Sequence, residues 1–254
     1  MFYYLYVWFH NQVHVFNLFR YVTFRTAYAS LTALFLSLTL GPWMIRKLKE
    51  FQVGQFIRED GPKSHQSKAG TPTMGGVLIL LCTVVPTVLW ADLSNPFLWL
   101  ILVVTILFGG IGFWDDYQKI RRRQNLGLTA RSKLFLQIGV AFVFGFALLL
   151  MSLQGAYSTA LTFPFFKHFR PSLTLPFFLH SPWTYAFAYL PFIIFVVFLL
   201  VGSSNAVNLT DGLDGLAIGC VVITAGALTV LTYVAGHATL STYLEVERFP
   251  LPPK

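Results

Sequence analysis

Six long apolar stretches constrain what this chain can fold into more than any other feature. They run near residues 18–41, 73–91, 96–114, 133–152, 184–204 and 214–236. A lipid hydrocarbon core about 30 Å thick takes roughly 20 mostly apolar residues to cross as a helix, and each stretch approaches that length. Inside lipid every backbone N–H and C=O needs a partner within the protein. Repeated spans of this kind therefore predict an all-α fold, a polytopic membrane helical bundle. Only 11% of the 254 residues are charged while 56% are hydrophobic, which leaves no soluble domain of useful size. Residues 1–254 read as a single integral membrane domain. Residues 1–17 are rich in aromatics (Phe2, Tyr3, Tyr4, Tyr6, Trp8, Phe9) but carry His10, Asn11 and Gln12, the pattern of an interfacial segment. They lack the basic n-region and cleavage site of a secretory signal, so the N-terminus reads as retained.

The net charge of +8 could suggest nucleic acid, but the position of the charge points elsewhere. Residues 42–72 hold Arg46, Lys47, Lys49, Arg58, Lys63 and Lys68, and residues 115–133 hold Lys119, Arg121, Arg122, Arg123, Arg131 and Lys133. These are twelve of the eighteen Lys and Arg. The link at 92–95 has none, and the long 153–183 link has only Lys167 and Arg170. The positive-inside rule then puts the two basic loops in the cytoplasm and the N-terminus in the periplasm. Helix parity brings residues 205–213 to the cytoplasmic face as well. Arg121–Arg123 belong to this orientation signal, and no nucleic-acid partner is expected. Cys82 and Cys220 lie within apolar runs and read as small lipid-embedded hydrophobes. His10 and His14 are spaced four apart without a carboxylate, which is an interfacial pattern more than a metal pair.

Charge beside a membrane span is costly, on the order of 3 kcal/mol on insertion scales, so its placement marks function. Four of the ten acidic residues fall in two short motifs. Asp115 and Asp116 end the third apolar run, within Gly112-Phe-Trp-Asp-Asp-Tyr-Gln-Lys119. Adjacent carboxylates repel unless a cation or a shared proton relieves them. In the second motif Asn205, Asn208, Asp211 and Asp214 recur every third position, a slowly drifting polar stripe if helical. Gly212 and Gly215 would allow close backbone approach or an irregular turn, and an Asp opening a helix would suit its dipole. A third segment, 60–76, is a Gly-, Ser- and Thr-rich turn before an apolar helix. Backbone N–H groups there, with Lys68, could hold a phosphate. His65 in that turn suits a loop-ordering hydrogen bond as well as it suits substrate contact. Together the three segments imply metal-assisted transfer of a phosphorylated group with one substrate dissolved in lipid, and carboxylates of this kind favour Mg²⁺.

At these residues the chain resembles the phospho-N-acetylmuramoyl-pentapeptide transferases, which make lipid I in peptidoglycan synthesis. The matching runs are SHQSKAGTPTMGG at 64–76, GFWDDYQK at 112–119 and NAVNLTDGLDG at 205–215. The resemblance extends from about residue 17 to about residue 237. It implies transfer of phospho-MurNAc-pentapeptide from UDP-MurNAc-pentapeptide to undecaprenyl phosphate, with release of UMP, at the cytoplasmic face of the bacterial inner membrane. By motif position it makes Asp115 and Asp116 the catalytic pair. It implies substrate binding by Lys68, Thr73, Lys119, Lys133, Asn208, Asp211 and Asp214, and Mg²⁺ held by Asp115, Asp116 and Asp211. A lipid phosphate is already largely ionised at neutral pH, so positioning and charge neutralisation are expected to carry more of the rate than a base.

The resembled family has about ten helices, and its second half supplies a further aspartate, the main metal ligand, and a histidine-rich loop. Neither motif occurs here, so the chain reads as truncated, with residues 238–254 an aberrant tail and activity of the polypeptide itself in question. Three other readings stay open: a polyprenyl-phosphate GlcNAc-1-phosphate transferase, an ion-coupled transporter, and a non-catalytic fragment. A transporter would hold its charges near the bilayer midplane at broken helices, not at helix ends. Gly215-Leu-Ala-Ile-Gly219 fits close helix packing and leaves a homodimer open without arguing for one.

Overall fold

The computed structural model describes residues 1–50, 74–122, 127–161, 163, 166, 169–180, 185–211, 215–244 and 246. The chain forms two compact units, Met1–Gln137 and Ile138–Lys254. Its helices are α1 (Tyr3–Phe9), α2 (Val22–Glu50), α3 (Gly76–Trp90), α4 (Pro96–Arg122), α5 (Ala130–Leu153), α6 (Tyr185–Ala188), α7 (Leu190–Thr210), α8 (Leu216–Gly236) and α9 (Ala238–Leu244), with 3-10 turns at His14–Arg20 and Pro176–His180. Among the described residues there are no strands, only an isolated antiparallel bridge between Ala160 and Ser172. The expected all-α membrane fold is present: α2, α4, α5, α7 and α8 are long and apolar enough to cross a bilayer. This is the architecture of a multi-pass membrane protein.

The six expected spans need one correction. The second, placed at 73–91, is a 15-residue helix, α3. At 1.5 Å per residue it covers about 22 Å, short of a hydrocarbon core of about 30 Å. The helices also outrun the apolar runs that announced them. α2 continues through Arg46, Lys47 and Lys49 to Glu50, and α4 continues through Asp115 to Arg122. Charge changes the solvent that a helix face can meet, but it does not end the backbone hydrogen-bond ladder.

In the first unit the aromatic N-terminal segment closes the far end of α3. A short helix leaves its last carbonyls without intrahelical partners. Here the Phe2 N–H donates to Leu89 O at 2.7 Å, the Met1 ammonium to Val88 O at 2.9 Å and Arg25 Nη1 to Trp90 O at 3.5 Å. Trp90 anchors the arrangement. Its indole N–H donates to Thr32 Oγ1 of α2 at 3.0 Å, and Phe2, Phe19 and Tyr28 lie 4.5, 6.0 and 5.2 Å from its ring. Arg25 also sits over the Tyr3 ring at 4.6 Å, a cation–π contact that favours a partly desolvated guanidinium.

The turn from α3 to α4 falls at Ser94-Asn95-Pro96, a pattern that favours turns. Asp92 Oδ1 accepts from the Ser94 N–H at 3.0 Å and from its hydroxyl at 2.7 Å, and Asn95 Oδ1 accepts from the Phe97 N–H at 3.0 Å. The two helices then pack so closely that a Cβ on Gly109 would collide with the Leu80 side chain.

In the second unit α7 buries Phe192, Ile193, Val196 and Val201. Gly145 of α5 admits Val196 and Ile193, which would lie 3.3 and 3.4 Å from a Cβ at that position. By contrast α8 is exposed along most of its length, with Val234 and Ala235 its buried residues. Gly215 and Gly219, expected to mark close helix contact, have no neighbour within 4 Å of a built Cβ among the described residues. Within the expected tail, residues 238–244 form α9, whose Ser241 is buried and accepts from the Val246 N–H at 3.0 Å.

Candidate active site

The site begins where α4 runs out of apolar residues. From Pro96 to Trp114 the helix presents side chains suited to lipid, and Asp115 and Asp116 follow at once. Lys119 lies one turn further on, at the i+4 and i+3 spacings that bring helical side chains together. Its ammonium reaches Asp115 Oδ2 at 2.8 Å and Asp116 Oδ1 at 3.0 Å. One cation thus relieves the repulsion that the sequence builds into adjacent carboxylates.

The chain then turns back on Asp115. Gly127 lies against its carboxylate and carbonyl oxygen, and the Leu128 N–H donates to Oδ1 at 2.8 Å. Thr129 opens α5 as an N-cap: its Oγ1 accepts from the Ser132 N–H at 3.2 Å and its carbonyl from the Lys133 N–H at 2.9 Å. That cap fixes the first turn of α5, and with it Lys133, whose Nζ stands 3.9 Å from Asp115 Oδ2. Asp115 is only 8% exposed, a buried residue whose carboxylate meets two donors at 2.8 Å and a second ammonium at ion-pair distance. Around the exit, exposed Trp114 and Tyr117 pack ring to ring at 5.8 Å, and Phe113 stacks on Tyr117 at 6.4 Å. Aromatic groups of this kind suit the boundary between lipid and water.

On the second unit, α7 carries the other polar motif. Asn208 is an exposed helical residue, and Asp211 sits at the C-cap, where its backbone N–H donates to Val207 O at 3.1 Å. The stripe expected from threefold spacing holds as far as Asp211. There the carboxylate meets the negative end of the α7 dipole, a disfavoured position that its exposure to solvent eases. Gly215 then takes φ +83°, the left-handed conformation that glycine adopts without strain, and α8 begins.

Of the residues singled out by sequence, Asp115, Asp116, Lys119 and Lys133 come together within hydrogen-bonding or ion-pair distance. Asn208 and Asp211 lie on the second unit, and Lys68, Thr73, His65 and Asp214 lie outside the described residues. Gly127 and Leu128 were not anticipated. The one sequence signal for them was a lone glycine in a basic loop. Among the described residues no group of three or more His, Cys, Asp or Glu could hold a metal ion.

A multi-pass helical membrane protein with paired carboxylates and lysines gathered where a span ends is equipped to handle phosphate charge beside lipid. The chain belongs to glycosyl transferase family 4, whose model matches residues 98–246. Residues 68–80 match signature 1 of the phospho-N-acetylmuramoyl-pentapeptide-transferases. Curated proteins bearing that name are similar over nearly the whole chain. The one from Koribacter versatilis is 60% identical over 235 residues, 92% of this chain and 62% of its own length. Those from Solibacter usitatus and Acidobacterium capsulatum are 54% and 57% identical over 98% and 93% of this chain, and 66% and 63% of their own lengths. The chain therefore spans a little under two thirds of the length of these relatives.

Proposed function

We propose that this chain carries part of the active site of a phospho-N-acetylmuramoyl-pentapeptide transferase. In that reaction a phosphate oxygen of undecaprenyl phosphate attacks the sugar-bearing phosphorus of UDP-MurNAc-pentapeptide. The bond from that phosphorus to the UMP oxygen breaks, UMP leaves with the electron pair, and lipid I remains in the membrane. The observation that carries the reading is the Asp115–Asp116–Lys119–Lys133 cluster at the end of α4, in a chain so similar to relatives of that name.

Each group has work suited to it. Lys119 and Lys133 present ammonium charge to phosphate oxygens, and charge stabilisation of this sort is the main resource of phosphoryl transfer. Asn208, Asp211, Lys68, Thr73 and Asp214 are assigned to substrate by motif alone. Of the two carboxylates Asp116 fits Mg²⁺, which takes one or two carboxylates and completes its shell with water and phosphate oxygens. When bound, Mg²⁺ neutralises diphosphate charge. Asp116, half-exposed and paired through one oxygen, has carboxylate capacity for it. Asp211 is the further carboxylate assigned to metal by motif. The basic ends of α2 and α4 would face the cytoplasm of a bacterial inner membrane.

The test is exchange of labelled UMP into UDP-MurNAc-pentapeptide, with undecaprenyl phosphate and Mg²⁺, in the chain and in a counterpart extended to the length of its relatives. Exchange in the counterpart that is abolished by Asp116→Asn supports the reading. Equal use of UDP-GlcNAc would assign the chain to another phosphosugar transferase of the family.

A further inference from the structure

Asp115 and Asp116 are neighbours in sequence but not in environment. Both oxygens of Asp115 are engaged: Oδ1 accepts from the Leu128 N–H at 2.8 Å, and Oδ2 meets Lys119 at 2.8 Å and Lys133 at 3.9 Å. A carboxylate offers about four acceptor positions; two are taken at 2.8 Å, Lys133 adds its charge, and Gly127 lies against the group, which leaves a buried Asp115 little capacity for a ligand. The Asp116 side chain is 31% exposed, and among the described residues it pairs with Lys119 through Oδ1 alone.

Glycine at 127 is what lets the loop reach Asp115. A Cβ there would lie 2.6 Å from the Asp115 carbonyl oxygen and 2.9 Å from its carboxylate carbon. A side-chain tip could swing away from such a contact, but a helix carbonyl cannot. Any larger residue would therefore lift the loop and draw the Leu128 N–H off Oδ1. Thr129 follows directly and caps α5, so the same three residues also fix where Lys133 emerges.

We propose that Gly127 and the Leu128 N–H form a backbone clasp that makes Asp115 a positioning residue for Lys119 and Lys133, leaving Asp116 as the carboxylate that meets a phosphate ligand with its divalent cation. The identity of that ligand rests on the transferase reading, whereas the clasp does not.

Carbodiimide labelling of the chain in lipid nanodiscs, read residue by residue by mass spectrometry, separates the two carboxylates. Asp116 is expected to label faster than Asp115, and Mg²⁺ with UMP to slow the labelling of Asp116 alone. Gly127→Ala is expected to raise the rate at Asp115 towards that at Asp116. Equal rates in the native chain, or protection by Mg²⁺ and UMP at Asp115, would overturn the proposal. In the exchange assay on the extended counterpart, Gly127→Ala should lower kcat about tenfold, the size of effect that follows loss of an orienting partner, with KM for UDP-MurNAc-pentapeptide unchanged. Replacing the amide of Leu128 by an ester removes the N–H without adding a side chain and should give the same division, even where Gly127→Ala fails to fold. A raised KM with kcat preserved would overturn the positioning role. The expected labelling pattern without any exchange would support the clasp and remove the transferase reading.

Discussion

Replacing Lys119 by methionine keeps the length of the side chain and removes its charge, which makes it the sharpest probe of the carboxylate pair. In the native chain the ammonium touches Asp115 at 2.8 Å and Asp116 at 3.0 Å. Without it Asp115 keeps the longer pairing to Lys133 and the Leu128 N–H, and Asp116 loses its ion pair among the described residues. Breaking a fully buried ion pair costs about 3–5 kcal/mol, and exposed pairs contribute about 0–1 kcal/mol. The Lys119 side chain is 35% exposed, so solvent screening sets the expected loss at about 1–2 kcal/mol, roughly 5- to 30-fold in the folded-to-unfolded ratio. The assay is reversible unfolding in mixed micelles by titration with a denaturing detergent. The sign of a second substitution then tests the reasoning. Asp116→Asn should destabilise the native chain, because it removes a favourable pair. In the Lys119→Met background the same change should stabilise, because it relieves repulsion from Asp115. High salt should narrow both differences. Destabilisation by Asp116→Asn of equal size in both backgrounds would refute the idea that Lys119 holds two repelling carboxylates together.

Three further perturbations probe the elements that support this arrangement. Trp90→Ala removes the ring against which Phe2, Phe19 and Tyr28 pack. A fully buried tryptophan would cost about 3–5 kcal/mol, so the half-buried Trp90 should cost about 2 kcal/mol in the same unfolding assay, with faster amide exchange at the end of α3. Thr129→Ala deletes the N-cap of α5 and should cost about 1 kcal/mol, with Thr129→Ser recovering most of it. Gly109→Val drives a side chain into Leu80 and should cost about 1–3 kcal/mol by overpacking. Adding Leu80→Ala should return part of that loss, and a strictly additive double mutant would show that α3 and α4 do not meet there.

Much of this protein could be read along the chain because lipid imposes local rules. A run such as 96–114 must be helical to satisfy its own backbone, and that requirement needs no knowledge of neighbouring elements. The same reasoning marked Asp115 and Asp116 as costly and therefore informative, and helical spacing put Lys119 within reach of both. The turn at 94–96 was legible from its asparagine and proline. Helix ends were less so. α2 and α4 run past their apolar segments because a helix continues through Lys and Arg as readily as through Leu.

Contacts between segments far apart along the chain required the tertiary structure. The last carbonyls of the short α3 find partners in Phe2 and Arg25, distant in sequence. No periodicity within residues 1–20 announces that role. Sequence likewise treated Asp115 and Asp116 as an equivalent pair. Folding separates them: Gly127 and the Leu128 N–H lie against Asp115, whereas the Asp116 side chain stays 31% exposed. Residue type and spacing determined which charges would gather at the end of α4. The path of the backbone decided which of them is buried against Gly127 and Leu128 and which stays partly exposed.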